Sequence, residues 1–154
     1  MNDPIGVVAV STPVPAKPRL QRRAAATRAV ILAGAAKVFD ASGYRAASIS
    51  DVIDSENISK GGLFHHFPSK QSIAEQLVDR WSVAVASSFS DAATAGEPAA
   101  RQLCEVFLDL ARKVESDVHL RAGMKLTLES AVDGGHQVYR DVRRRTLLRS
   151  FEVD

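Results

Sequence analysis

One cysteine, Cys104, stands in 154 residues, so the chain can form no internal disulfide and offers no cysteine spacing for a structural metal. A small buried hydrophobe on a helix is the expectation for it. No apolar run approaches the roughly 20 residues that cross a bilayer. No secretory signal is expected either: Asp3 and Pro4 occupy the place of a basic stretch, and the apolar run Val7 to Val10 is short. Enzyme chemistry finds no foothold, because there is no paired nucleophile and base, no metal-ligand spacing and no glycine-rich phosphate loop. Alternating strand patterns and internal repeats are also missing. These absences lead to a cytoplasmic, all-α, non-enzymatic protein with no cofactor, no metal and no membrane partner.

The charge that is present is unevenly spread. Residues 17–70 hold nine Lys/Arg against four acids, whereas residues 71–154 hold eleven against thirteen. A basic front half joined to a near-neutral back half is the pattern of a polyanion-binding module coupled to another function.

Helical periodicity organises the rest. Residues 1–21 contain Pro4, Pro13, Pro15 and Pro18 among small residues and read as a disordered arm that turns basic. From about Arg22 to Ser42, Ile31, Ala35, Val38 and Phe39 form the stripe of an amphipathic helix, stopped by Gly43. Ser48 and Asp51 spell a capping box that opens a short helix burying Ile49, Val52 and Ile53. Asn57 suits a positive φ, and Ser59 caps a second short helix from about Lys60 to His66, ended by Phe67-Pro68. Two short helices across a tight turn make a helix-turn-helix, so residues 22–70 are expected to form a three-helix DNA-binding domain.

Residues 71–154 are expected to form a helical regulatory domain. Ser69 caps a helix to about Ser90 that buries Ile73, Leu77, Val78, Trp81, Val85 and Phe89, and Asp91 to Pro98 is read as a linker. A fifth helix, about Ala99 to Ser116, carries Leu103, Val106, Phe107, Leu110 and Val114. A sixth, Val118 to about Val132, carries Leu120, Met124 and Leu128, and Gln137 to Phe151 again reads as helical.

The stretch Thr27 to Phe39, then Gly43-Tyr44, then Ser59-Lys60-Gly61-Gly62-Leu63-Phe64-His65-His66-Phe67-Pro68-Ser69-Lys70, resembles the DNA-binding domain of the tetracycline-repressor (TetR) family. Leu110-Ala111-Arg112 and His119 to Leu126 are similar to one subgroup, the γ-butyrolactone autoregulator receptors of actinomycetes. The resemblance implies a repressor that binds an inverted repeat of double-stranded DNA as a homodimer and leaves it when a small hydrophobic ligand binds. Lys60 and Gly61 place a cation and close-approach backbone at the start of the recognition helix, and Leu63 anchors it. Phe64 stands where the family carries an aromatic on the DNA backbone. His65 points toward the groove, His66 can donate to a phosphate, and Lys70 adds a cation. Thr27 and Ser48, read as lying at helix starts, and Ser59, which caps the recognition helix, complete the expected DNA-contacting set. Trp81, Phe89, Phe107, Met124 and Tyr139 are the expected ligand-pocket residues.

Several positions depart from the family pattern. Glu56 would repel DNA from a phosphate-facing surface, and Gly62 costs the recognition helix up to about 1 kcal/mol. Relative to the family the chain is C-terminally short, so its regulatory domain is expected to be incomplete. Leu126, Val138, Leu147, Leu148 and Phe151 would then lie open and favour either poor solubility or a non-standard homodimer. An interaction role without DNA binding, through heterodimers with a longer relative, is the alternative function.

Overall fold

The computed structural model describes residues 17–94, 97–129, 132, 140 and 144. Among them are six helices and no strand: α1 (Lys17–Ala46), α2 (Ile49–Glu56), α3 (Lys60–His66), α4 (Lys70–Thr94), α5 (Ala99–Ser116) and α6 (Val118–Leu128). The all-α expectation holds.

α1 begins five residues before the expected Arg22. Pro18 fits the first turn, where its missing N–H has no partner to lose, and the Arg, Leu, Gln and Ala that follow are strong helix formers. Residues 19–30 are all exposed, and burial starts at Ile31. Ile31, Ala35 and Phe39 are sealed in the core with Leu32 and Ala36, while Val38 is half-buried. Gly43 ends the stripe at φ 76°, ψ 170°, a conformation open essentially to glycine alone, so α1 kinks there before its last turn.

The short helices follow their caps. Ser48 Oγ accepts from Asp51 N at 3.1 Å and Asp51 Oδ2 accepts from Ser48 N at 2.8 Å, which completes the capping box. Hydrogen bonds to it from the Ser48 backbone N–H and the Ser48 side chain hold the Asp51 carboxyl below its ordinary range. Asn57 closes α2 in the left-handed region at φ 51°, ψ 47°. Ser59 Oγ accepts from Gly62 N at 3.0 Å to open α3, and Ser69 Oγ accepts from Ser72 N at 3.1 Å to open α4.

α4 is the spine. Its Ile73, Leu77, Val78, Trp81, Val85 and Phe89 are all buried, as the periodicity demands. It runs to Thr94, so Asp91 to Thr94, read as linker, are its last turn. α5 keeps the expected bounds, with Val106 and Leu110 buried and Leu103 and Val114 half-buried. Two α5 expectations fail. Phe107 is 56% exposed, and Cys104 is exposed rather than buried. Both lie on the side of α5 turned away from α4.

α6 ends at Leu128, about four residues short of the expected Val132, where Glu129 turns extended. Its inward face is also not the one expected. Ala122, Gly123, Leu126 and Thr127 are buried, Leu120 and Met124 are half-buried, and Leu128 is 71% exposed. Small residues set the face. A Cβ on Gly123 would collide with the Leu77 carbonyl oxygen and stand 2.9 Å from Trp81 Cβ, so α6 crosses α4 backbone to backbone. Leu126, expected to lie open, is 1% exposed as a result. Val138, Leu147, Leu148 and Phe151 lie outside the described residues.

Candidate nucleic-acid interface

α2 and α3 meet at the left-handed Asn57, and Leu63 and Phe67 drive α3 into the core. That orientation settles which side of α3 faces out. Lys60, Gly61, Phe64 and His65 share one arc of the helix by their spacing. Lys60, Gly61 and His65 are exposed, and Phe64 is 41% exposed although large and apolar. Around Gly61 a Cβ would meet nothing within 4 Å, so backbone is bare there. His66 is half-buried and its ring meets that of His65 edge-on, centroids 5.1 Å apart. Among the described residues no cluster of His, Cys, Asp and Glu could hold a metal ion.

Ser48 and Ser59 are exposed, and each hydroxyl is fixed by the backbone N–H it accepts; the Ser48 hydroxyl also faces the Asp51 carboxylate. Thr27 does not lie at a helix start. It sits well inside α1, exposed, with its hydroxyl donating to Arg23 O at 3.1 Å. The earlier start of α1 also puts Arg19, Arg22 and Arg23 on one helix face, at i, i+3 and i+4.

Lys70 stands apart from the exposed set. Its ammonium turns inward, donating to Tyr44 O at 2.8 Å and Ala47 O at 2.9 Å and lying 4.3 Å above the Tyr44 ring. It straps the end of α1 to the start of α4. Arg28 does similar work: it donates to His66 O at 2.9 Å and to Gln76 Oε1, and lies 4.2 Å over the Phe67 ring. Glu56 is not an open repulsive charge. Lys37 Nζ meets its carboxylate at 2.8 Å, and its side chain is 20% exposed against α1 beside Gly34.

A second set of contacts ties this head to α6. Arg121 Nε donates to Asp40 Oδ2 at 3.0 Å, Lys125 Nζ stands 2.5 Å from Asp40 Oδ1, and Lys125 also donates to Asp40 O at 2.7 Å. One turn further on, the Glu129 carboxylate accepts from Tyr44 N at 2.9 and 3.1 Å, just past the kink at Gly43. Sequence reading missed Asp40, Arg121, Lys125 and Glu129; the i, i+4, i+8 spacing of the last three was the available signal.

Burial pushes the Asp40 carboxyl up, but hydrogen bonds and charge from Lys125 and Arg121 outweigh it and hold the group below its ordinary range. A carboxyl depressed in the fold contributes stability above its unfolded value of about 3.9 and loses it as pH falls through the lower folded value. Thermal melts should therefore weaken below roughly pH 4. Asp40→Asn should flatten part of that loss and cost about 1–2 kcal/mol at neutral pH, since both cations keep some hydration. An unchanged acid limb in Asp40→Asn would remove this pair from the account.

None of the expected ligand residues that the structure describes lines the cleft found between α4 and α5. Trp81 and Phe89 are core, Met124 is half-buried against it, Phe107 faces out, and Tyr139 lies outside the described residues. The structure instead shows an open cleft of about 490 Å³ between the end of α4 and α5, lined by polar side chains including Ser88, Arg101, Glu105, Asp109 and Arg112. At its floor, buried Ser88 donates to Asp109 Oδ2 at 2.6 Å and accepts from Lys113 Nζ at 2.9 Å.

The described residues thus form a basic, all-helical head that carries a capped helix-turn-helix. Residues 31–77 match the family described as bacterial regulatory proteins, tetR family. The A-factor receptor protein of Streptomyces griseus is 31% identical over 121 residues, which is 79% of this chain and 42% of that one. A gamma-butyrolactone receptor (ArpA-like protein) of solved structure superposes with a TM-score of 0.74 at 27% identity, over 84% of this chain and 70% of the other. CprB of Streptomyces coelicolor, solved in complex with its biological operator sequence, gives 0.72 at 26% identity, over 84% and 67%. The chain carries the N-terminal domain of the tetR family, and beyond that domain it resembles the gamma-butyrolactone receptors. It spans 42% of the length of the A-factor receptor protein.

Proposed function

We propose that the chain is a sequence-specific DNA-binding transcriptional regulator, a repressor that holds an inverted repeat as a homodimer and is released by a small γ-butyrolactone-like ligand. The observation that carries the reading is the outer arc of α3. Lys60, Gly61, Phe64 and His65 form an exposed cationic, bare-backbone and aromatic surface while Leu63 fixes the helix from behind. In this reading Lys60, Ser48, Ser59 and Thr27 touch phosphates, Phe64 packs on the sugar-phosphate backbone and His66 donates beside it. His65 reaches base edges. Lys70 serves the contact indirectly, by holding the head together. Release by a ligand is supported by the likeness to receptors, with residues 71–154 as the regulatory part. The protein acts in the cytoplasm and has no enzymatic role. No helix among the described residues is long and apolar enough to cross a membrane.

Selection from a pool of random duplexes tests it. Two heads related by a two-fold axis read half-sites about one helical turn, or a multiple of it, apart. The enriched sequences should therefore form an inverted repeat with that spacing. Enrichment of single half-sites, or none above the input pool, would overturn the reading.

A further inference from the structure

The first acid after Asp3 is Asp40, and Lys17, Arg19, Arg22, Arg23, Arg28 and Lys37 all stand between them. Arg28 and Lys37 are committed within the head, to His66 and Gln76 and to Glu56. Arg19, Arg22 and Arg23 are not. All three are exposed, and among the described residues no ion pair or hydrogen bond engages their guanidinium groups. Packing does not account for the stretch that carries them. Residues 19–30 are exposed on every side of the helix, and the large apolar side chains there are Leu20 and Val30, 72% and 43% exposed. Three turns of helix are marginal in water on their own, and here electrostatics opposes them further. Arg19 repels Arg22 and Arg23 at i+3 and i+4. It also opposes the helix dipole, with no acid in the first turn to balance it.

We propose that these first turns of α1 are a second DNA-contacting element, in which Arg19, Arg22 and Arg23 hold phosphates of the duplex flanking each half-site, beyond the bases that α3 reads. The inference rests on the DNA-binding reading above and adds a contact surface to it. A line of phosphates relieves both the mutual repulsion and the unfavourable dipole end. Position supports it. Arg28 donates to His66 O and lies over the Phe67 ring, so α1 passes the C-terminal end of the recognition helix there. Residues 17–27 continue past that point for about 17 Å, the length of about five base pairs. Ser59 and Lys60 stand at the opposite end of α3, so the two sets of contacts take separate stretches of backbone. Leu20 and Val30 are too little apolar surface to seat the segment in a lipid headgroup layer, where binding scales with buried apolar area. Contacts to phosphate carry no base information, so the flanking sequence should not matter.

Duplex length reads the contact. The selected inverted repeat is cut flush at its outer base pairs, or extended on each side by about eight base pairs of unselected sequence. At about 100 mM salt the full native chain should bind the extended duplex at least tenfold more tightly, with a log–log salt slope steeper by about three, one per arginine. Arg19→Ala, Arg22→Ala and Arg23→Ala combined should erase most of that gain. The same variant should keep the native affinity for the flush duplex and the native base preferences within the repeat. Alanine is the strongest helix former, so α1 should persist, which circular dichroism checks. Lysine at the three positions should keep most of the gain, because the contact is with charge. Equal affinity of the native chain for flush and extended duplexes would overturn the inference and leave the regulator reading intact. So would a gain that survives undiminished in the alanine variant. An alanine variant that loses as much affinity for the flush duplex as for the extended one would overturn it too, and would assign the arginines to the stability of the head. The absence of any preferred repeat, seen already in the selection, would sink the regulator reading and this inference with it.

Discussion

Gly123→Leu should prevent the chain from folding, and Gly123→Ala should cost about 3 kcal/mol or more. Overpacking a close core contact typically costs 1–3 kcal/mol when side chains can move aside. Here the first obstacle is the Leu77 carbonyl oxygen, part of the α4 backbone, with Trp81 Cβ 2.9 Å away. Neither is the free end of a flexible side chain. Alanine would force α6 off α4, opening the layer that buries Leu77, Trp81 and Leu126 and dragging on the Asp40–Arg121 contact. At about 4 °C per kcal/mol for a chain of this size, the melting temperature should fall by roughly 10 °C or more. Gly61→Ala is the matched control: nothing lies within 4 Å of the added methyl, and helix propensity alone should stabilise by up to about 1 kcal/mol. Equal and small effects at the two glycines would mean that α4 and α6 are not in backbone contact.

DNA affinity should collapse with salt. The head carries Lys60 at the start of α3 and the Arg19, Arg22 and Arg23 face of α1, all exposed. Each phosphate neutralised contributes a log–log slope of about −0.9, so a dimer contacting six to ten phosphates loses about 10³–10⁵ in affinity between 50 and 200 mM salt. Arg22→Ala with Arg23→Ala should make that slope shallower by about two. A flat salt response on every duplex would contradict the nucleic-acid reading.

What the sequence makes legible here is what neighbours in the chain decide. The capping box at Ser48 and Asp51, the left-handed Asn57, the Ser59 cap and the stop at Gly43 each depend on residues within one turn, and each is found where the letters put it. α5 keeps its bounds for the same reason, with Pro98 before it and Asp117 after it. Features set by distant chain are the ones misread. The inward turn of Lys70 depends on Tyr44 and Ala47 carbonyls more than twenty residues away. The α6 face was assigned to its long apolar residues, whereas Ala122 and Gly123 set it through a backbone contact that no local spacing records. Asp40 and Arg121 are 81 positions apart. Phe107, expected on the apolar stripe of α5 and at a ligand pocket, falls on the outer side of the helix.

The central claim is that the outer arc of α3 reads DNA, and base preference tests it most directly. With the selected inverted repeat in hand, every single-base variant of one half-site should be titrated against the native chain, His65→Ala and Lys60→Ala. His65→Ala should lose discrimination at one or two adjacent base pairs, worth about 1–3 kcal/mol there, and keep it elsewhere. Lys60→Ala should weaken all the duplexes alike. Base preferences unchanged in His65→Ala but shifted by Lys60→Ala would contradict the roles assigned to α3, and preferences unchanged by both would place the reading surface elsewhere.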